Sequence, residues 1–263
     1  MVLVLASTLA TACKGEGAAQ PLRVAAAADL AFAFKDIGDA FQKKTGQAVT
    51  FSFGSTGLLA KQIEEGGPFD VFAAANVSFA DDAVKSGACL ADSKVFYARG
   101  RIVLWRATGP APASLAALAG DDVRKVAIAN PEHAPYGKAA VEALTRAGVW
   151  DAVKPKLVYG ENVQQTLQFA QSGNADVAIV ALSLATVSGG AFTAIEPSAH
   201  APIEQAMVVC KGERGLGKQE KGARAFAAFV GSDEGRAIMR RYGFLLPGEA
   251  PVAASSAARS APP

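Results

Sequence analysis

Four loops hold the residues best suited to chemistry. They are Ala27-Ala28-Asp29-Leu30, Gly54-Ser55-Thr56-Gly57, the octapeptide 130–137 (NPEHAPYG) and Gly160-Glu161-Asn162-Val163. Each follows a short apolar run and precedes a helix-like run, so each marks a strand end that opens a helix. The first turn of a helix leaves backbone N–H groups without acceptors and carries partial positive charge. An oxyanion binds there without help from Lys or Arg. Ser55, Thr56 and Tyr136 add hydroxyl donors. For any one loop, the plainer reading is that its Ser, Thr, Asp or Asn is a helix N-cap. Four such loops in one chain favour a binding site.

Other chemistries find less support. The chain has two His residues, His133 and His200, too few for a His-rich metal cluster. GxGxxG and GxxxxGK[ST] patterns in a usable strand–turn–helix context are absent, as is a GxSxG elbow. A hydrolase would need Ser55 or Thr56 as nucleophile, His133 as base and Asp29 as orienter. With one loop His near that set, no enzyme and no cofactor are expected. The net charge is only +2, which argues against a nucleic-acid partner. Trp105 and Trp150 read as packing residues, and Phe226, Phe229, Ile238 and Tyr242 as the buried faces of the last two helices.

The elements that must position these loops alternate between strand and helix, which predicts an α/β fold. Strands are expected at 22–26, 48–53, 71–74 and 101–105, then at 126–129, 156–159, 177–181 and 203–210. Helices are expected after 30, with Leu30, Phe34, Ile37 and Phe41 on one face, and at 58–65, 79–85, 138–147, 163–171, 219–230 and 234–242. The Gly109-Pro110-Ala111-Pro112 break suggests a change of lobe. Lobe 1 is assigned to 21–105 plus 205–247 and lobe 2 to 106–204, with crossings near 106–110 and 200–204. Ligands of open α/β sheets sit beyond the carboxyl ends of strands, where the four loops lie. The Ala-, Ser- and Pro-rich segment 248–263 reads as a disordered tail.

Residues 1–20 read as an export signal and tether. The apolar stretch MVLVLASTLATAC is too short to span a bilayer, which takes roughly 20 residues. It lacks a positively charged start, which points to an initiation site upstream. Small residues before Cys13 suggest lipoprotein processing, but the Leu sits one place too far away, and lipidation of Cys13 stays open. So does pairing of Cys89 with Cys210 in an oxidising compartment.

At the four loops the sequence resembles the periplasmic molybdate-binding protein family. The resemblance covers about residues 22–246. It is carried by VAAAADL, SFGSTGLLAKQIEEGGPFDVFAAAN, GRIVLW, NPEHAPYGKAA, YGENVQQTLQFAQSGNADVAIVALS and RRYGF. It implies a two-lobed type II periplasmic binding protein fold, monomeric and periplasmic. The implied ligand is molybdate or tungstate, captured between the lobes and delivered to an ABC transporter permease in the inner membrane. It implies ligand contacts at Ala28 and Asp29, at Thr56 with Ser55 beside it, at the Tyr136 phenol and at the backbone N–H of Val163. These residues would hold the oxygens of the ion, with no separate cation site. Another branch of the family places a Tyr where this chain has Ala181, and Tyr136 would stand in for it.

Asp29 departs from the family pattern of Ser or Asn. An ionised carboxylate cannot donate to an oxyanion. At about 4 Å from a dianion it would meet repulsion on the order of 8 kcal/mol at an effective dielectric of about 20. Three resolutions stay open: Asp29 caps the following helix, it is protonated, or it coordinates the metal of the oxyanion or an added cation. The carboxylate also keeps protonated tetrahedral anions such as phosphate and arsenate in view, beside sulfate and chromate. A sensor subunit would use the same pocket.

Overall fold

The structure, a computed structural model, describes residues 20–212 and 219–249. Cys13, the rest of 1–19 and residues 250–263 lie outside the described residues. Within the expected tail, Glu249 accepts from Arg240 Nε at 2.7 Å and from the Leu246 N–H at 2.8 Å.

The chain begins with β1 (Leu22–Ala27), a 3₁₀ turn at Ala28–Leu30, and α1 (Ala31–Thr45). Phe34, Ile37 and Phe41 are buried along one face of α1, and Gly46 ends it in the left-handed conformation. Next come β2 (Val49–Gly54), α2 (Thr56–Glu64), β3 (Val71–Ala74), α3 (Val77–Lys85), β4 (Val95–Gly100) and β5 (Ile102–Arg106). The middle of the chain forms β6 (Val126–Ala129), α4 (Pro135–Arg146), α5 (Trp150–Val153), β7 (Leu157–Gly160) and α6 (Val163–Gln171). It continues through β8 (Val177–Ala181), α7 (Leu182–Ala185), β9 (Ala191–Ala194) and β10 (Ile203–Val209) to α8 (Glu220–Val230) and α9 (Asp233–Arg241).

Two five-stranded sheets result, ordered β2-β1-β3-β10-β4 and β7-β6-β8-β5-β9. Each holds three parallel strands, then one antiparallel strand, β10 in the first and β5 in the second. Helices cover the sheets, so the inner parallel strands β1, β3, β6 and β8 are buried on both faces and read as Val-, Ile- and Ala-rich runs. Phe34, Phe41, Phe51 and Phe226 pack edge-on or tilted between α1, β2 and α8, with ring centroids 5.4–6.1 Å apart. The last two helices return to the first lobe, as expected. In α9 the buried side chain is Met239, while Ile238 and Tyr242 are only partly covered. Trp105 is buried, and its Nε1 donates to Gly189 O.

The crossings correct the expected boundaries. The run GRIVLW is not one strand of lobe 1. Gly100 pairs with Ile203 in the first sheet, whereas Ile102 pairs with Ala181 in the second. The first crossing is therefore at Arg101, not 106–110, and β5 belongs to lobe 2 rather than to 21–105. The Gly-Pro break at 109–112 only turns the chain within lobe 2. The second crossing spans 195–202, so Ile203 and Glu204 belong to lobe 1. Both crossings lie side by side, with the Ile195 N–H bonded to Ile102 O. Strands β4 and β9 were not expected from sequence.

Cys89 and Cys210 form a disulfide within lobe 1.

Candidate functional site

The symmetry of the two lobes builds the site. The parallel strands β1 and β2 end at residues 27 and 54, and β6 and β7 end at 129 and 160. All four carboxyl ends face one interlobe crevice. Ala28, Asp29, Ser55, Thr56, Tyr136 and Val163 all line it, joined by Ala75, Ala134 and Asn162 among others. The crevice is narrow, with a cavity volume of about 10 Å³, and its lining contains no Lys, Arg or His.

Thr56 and Val163 are the first residues of α2 and α6, and first-turn amides have no acceptor within their own helix. Asn162 is the N-cap of α6, but its side chain accepts from the Gln164 and Gln165 amides, leaving the Val163 amide to the crevice. Thr56 Oγ1 accepts from the Ala75 N–H at 3.2 Å, so the hydroxyl proton remains available as a donor.

Two predicted donors point elsewhere. Ser55 Oγ lies 2.7 Å from the His133 carbonyl oxygen and 2.8 Å from its Nδ1. The Gly57 N–H also donates to that carbonyl. Ser55 therefore fastens the second loop to the third, across the crevice mouth. The Ser55–His133 pair is the geometry a hydrolase would use, but the orienter is missing. Among the described residues no carboxylate bonds His133, and Asp29 is engaged elsewhere.

Asp29 is fully buried, and its side chain caps neither the turn at Ala28–Leu30 nor α1. The capping resolution is thereby removed. Oδ2 accepts from Tyr136 Oη at 2.8 Å and from Gln205 Nε2 at 2.6 Å. Gln205 Nε2 also lies 3.1 Å from Tyr136 Oη. Oδ1 has no hydrogen-bond partner. Burial raises the Asp29 pKa from 3.8 to about 6, against the opposing hydrogen bonds from Gln205 and Tyr136. Burial also pushes the Tyr136 and Tyr97 phenols up, and the nearby Asp29 charge adds to both shifts. The Tyr136 hydroxyl, expected to donate to an anion, thus donates to Asp29. Among the described residues no group of three or more His, Cys, Asp or Glu converges.

Sequence reading missed Gln205, Ser183 and Gly100. Gln205 is a fully buried amide at the head of the apolar run 206–209 of β10, a detectable anomaly. Ser183 Oγ donates to the Asp29 carbonyl at 2.7 Å. Gly100 makes room for the phenol: a Cβ there would sit 2.0 Å from Tyr136 Oη and 2.8 Å from its Cζ. Gly100→Ala is expected to displace the phenol from Asp29 and weaken lobe contact by about 1.5–3 kcal/mol, the range for a hydrogen bond to a charged group. Small-angle scattering should then show a larger radius of gyration. An unchanged radius would mean the ring finds room without parting the lobes.

Two α/β lobes joined by adjacent crossings, with helix starts from both facing one crevice, define a clamshell ligand-binding protein. The chain belongs to the bacterial extracellular solute-binding proteins, a family it matches over residues 22–245. It is 37% identical over 229 residues to the molybdate-binding protein ModA of Rhodobacter capsulatus, covering 87% of this chain and 89% of that one. It is 36% identical over 241 residues to ModA of Azotobacter vinelandii, covering 89% and 93%. The solved periplasmic molybdate-binding protein of Azotobacter vinelandii superposes with a TM-score of 0.79 at 30% identity, over 86% of this chain and 99% of that one.

Proposed function

We propose that this protein captures molybdate or tungstate in the interlobe crevice and delivers it to an ABC transporter permease in the inner membrane. One observation carries the reading. A small, buried crevice takes helix-start amides and a free hydroxyl from facing lobes and contains no cationic side chain. Such a lining suits a compact oxyanion held by dipoles. An anion touching both lobes stabilises their contact, which is how hinge closure couples to binding. The names of the relatives described above point to the same ligand. The protein acts as a monomeric binder rather than an enzyme, in the periplasm, with Cys13 as a lipid anchor.

Calorimetric titration with molybdate, tungstate, sulfate, phosphate and arsenate tests the reading. Val163→Pro isolates one donor. Proline is tolerated at the first helical position, so the substitution deletes the N–H and keeps the helix. Val163→Pro and Thr56→Ala are each expected to weaken molybdate binding by about 1–3 kcal/mol. Wild-type affinity in both variants would place the anion elsewhere.

A second reading draws on Asp29. Its bare Oδ1 is an acceptor. An ionised Asp29 would favour an anion that brings its own proton, such as hydrogen phosphate or hydrogen arsenate. Preference for these over molybdate in the same titration would select it.

A further inference from the structure

Asp29 stands out as the one carboxyl in the crevice lining. It lines the space where an oxyanion would lie, and it is fully buried. Its two oxygens are unequal. Oδ2 already receives the Tyr136 hydroxyl and the Gln205 amide, and Gln205 Nε2 can only donate. A proton on Oδ2 would displace one of them. Oδ1 receives no hydrogen bond from any other described residue. A proton placed there disturbs no bond to another residue and converts a bare carboxylate acceptor into a donor. An anion oxygen beside Oδ1 would otherwise face an unscreened carboxylate.

We propose that anion capture is coupled to one proton, held between Asp29 Oδ1 and an oxygen of the bound anion. The inference rests on the oxyanion reading above. A molybdate dianion arrives without a proton at neutral pH, so the site draws one from solvent. The balance is one anion and one proton in, and one anion and one proton out on release.

The groups facing Asp29 leave no other source of compensation. They are Tyr136 from α4, Tyr97 from β4, Gln205 from β10, Ser183 from α7, and Ser55 and Thr56 from the N-cap and first position of α2. The two phenols titrate well above their ordinary range and stay neutral. Among the described residues no Lys, Arg or His makes a hydrogen bond or ion pair with Asp29. The carboxyl of the anion-free protein titrates at about 6, so protonating it at pH 7 carries only a roughly tenfold population penalty. His133 of the third loop, bonded to Ser55, is another ionisable side chain in contact with a lining residue.

The test is calorimetry of the full chain with molybdate, and in parallel with tungstate, in Tris and in Hepes at pH 8. The two buffers differ in ionisation enthalpy, so the difference in heat counts protons. The expected result is uptake of about one proton per anion, with affinity falling about tenfold per pH unit above pH 6. Asp29→Asn presents an N–H where the proton would be. It should take up no proton, bind with an affinity flat from pH 6 to 9, and exceed the wild type at pH 8. Tight binding by the wild type without proton uptake overturns the inference and leaves the oxyanion reading intact. Proton uptake that persists in Asp29→Asn also overturns it, by assigning the proton to His133. Absence of binding by either anion at any pH overturns the oxyanion reading and the coupling with it.

Discussion

Replacing Asp29 with Asn raises the stability of the anion-free protein at pH 8 by about 3 kcal/mol and leaves it nearly unchanged at pH 4. The carboxyl titrates at about 6 in the fold against 3.8 ordinarily, because burial disfavours its charge. The native state therefore holds this proton more tightly than the unfolded chain. Stability falls as pH rises from about 4 to about 6, and the whole penalty is present above that. Two pKa units correspond to about 3 kcal/mol. Asparagine keeps an oxygen for Tyr136 and Gln205 and carries no charge to bury. Denaturant unfolding of both proteins at pH 4 and pH 8 checks this. An equal difference at the two pH values would trace the effect to packing instead.

Reducing the Cys89–Cys210 disulfide lowers stability by about 2–5 kcal/mol. The bond joins residues 121 apart in sequence, and cross-linking a loop of that length removes much of the entropy of the unfolded chain. It also secures the end of β10, which lies between β3 and the edge strand β4 in the first sheet. Cys89→Ser with Cys210→Ser, compared with the parent by urea unfolding, measures the effect. Equal midpoints would mean that the unfolded chain is already constrained without the bond.

Much of this architecture is legible from local pattern. The strands 126–129 and 177–181 and the helix 163–171 are apolar runs of the right period with polar ends, and they occur where expected. The four crevice loops were accessible for the same reason, since a strand end that opens a helix is a local event, whereas Ala28, Asp29 and Val163 were singled out within them by the family resemblance. Strand β4 escaped because it is an edge strand: Val95 and Phe96 are 40% and 53% exposed, and the alternation is blurred. The first crossing was misplaced because Gly109-Pro110 is a louder break than Gly100-Arg101, although only the latter separates the sheets. The partners of Asp29 were invisible for a different reason. Tyr136, Ser183 and Gln205 are 107, 154 and 176 residues away in sequence, and only the folded topology brings them together.

The unequal lengths of the two crossings bear on how the molecule moves. Arg101 alone separates β4 from β5, and its guanidinium grips the Gly243 carbonyl, whereas the return tether from β9 to β10 has eight residues. A single-residue link lets the halves swivel but not slide. The longer tether can follow that swivel without being pulled taut. The pivot is thus fixed beside Arg101, and the halves re-form the same contacts each time they shut.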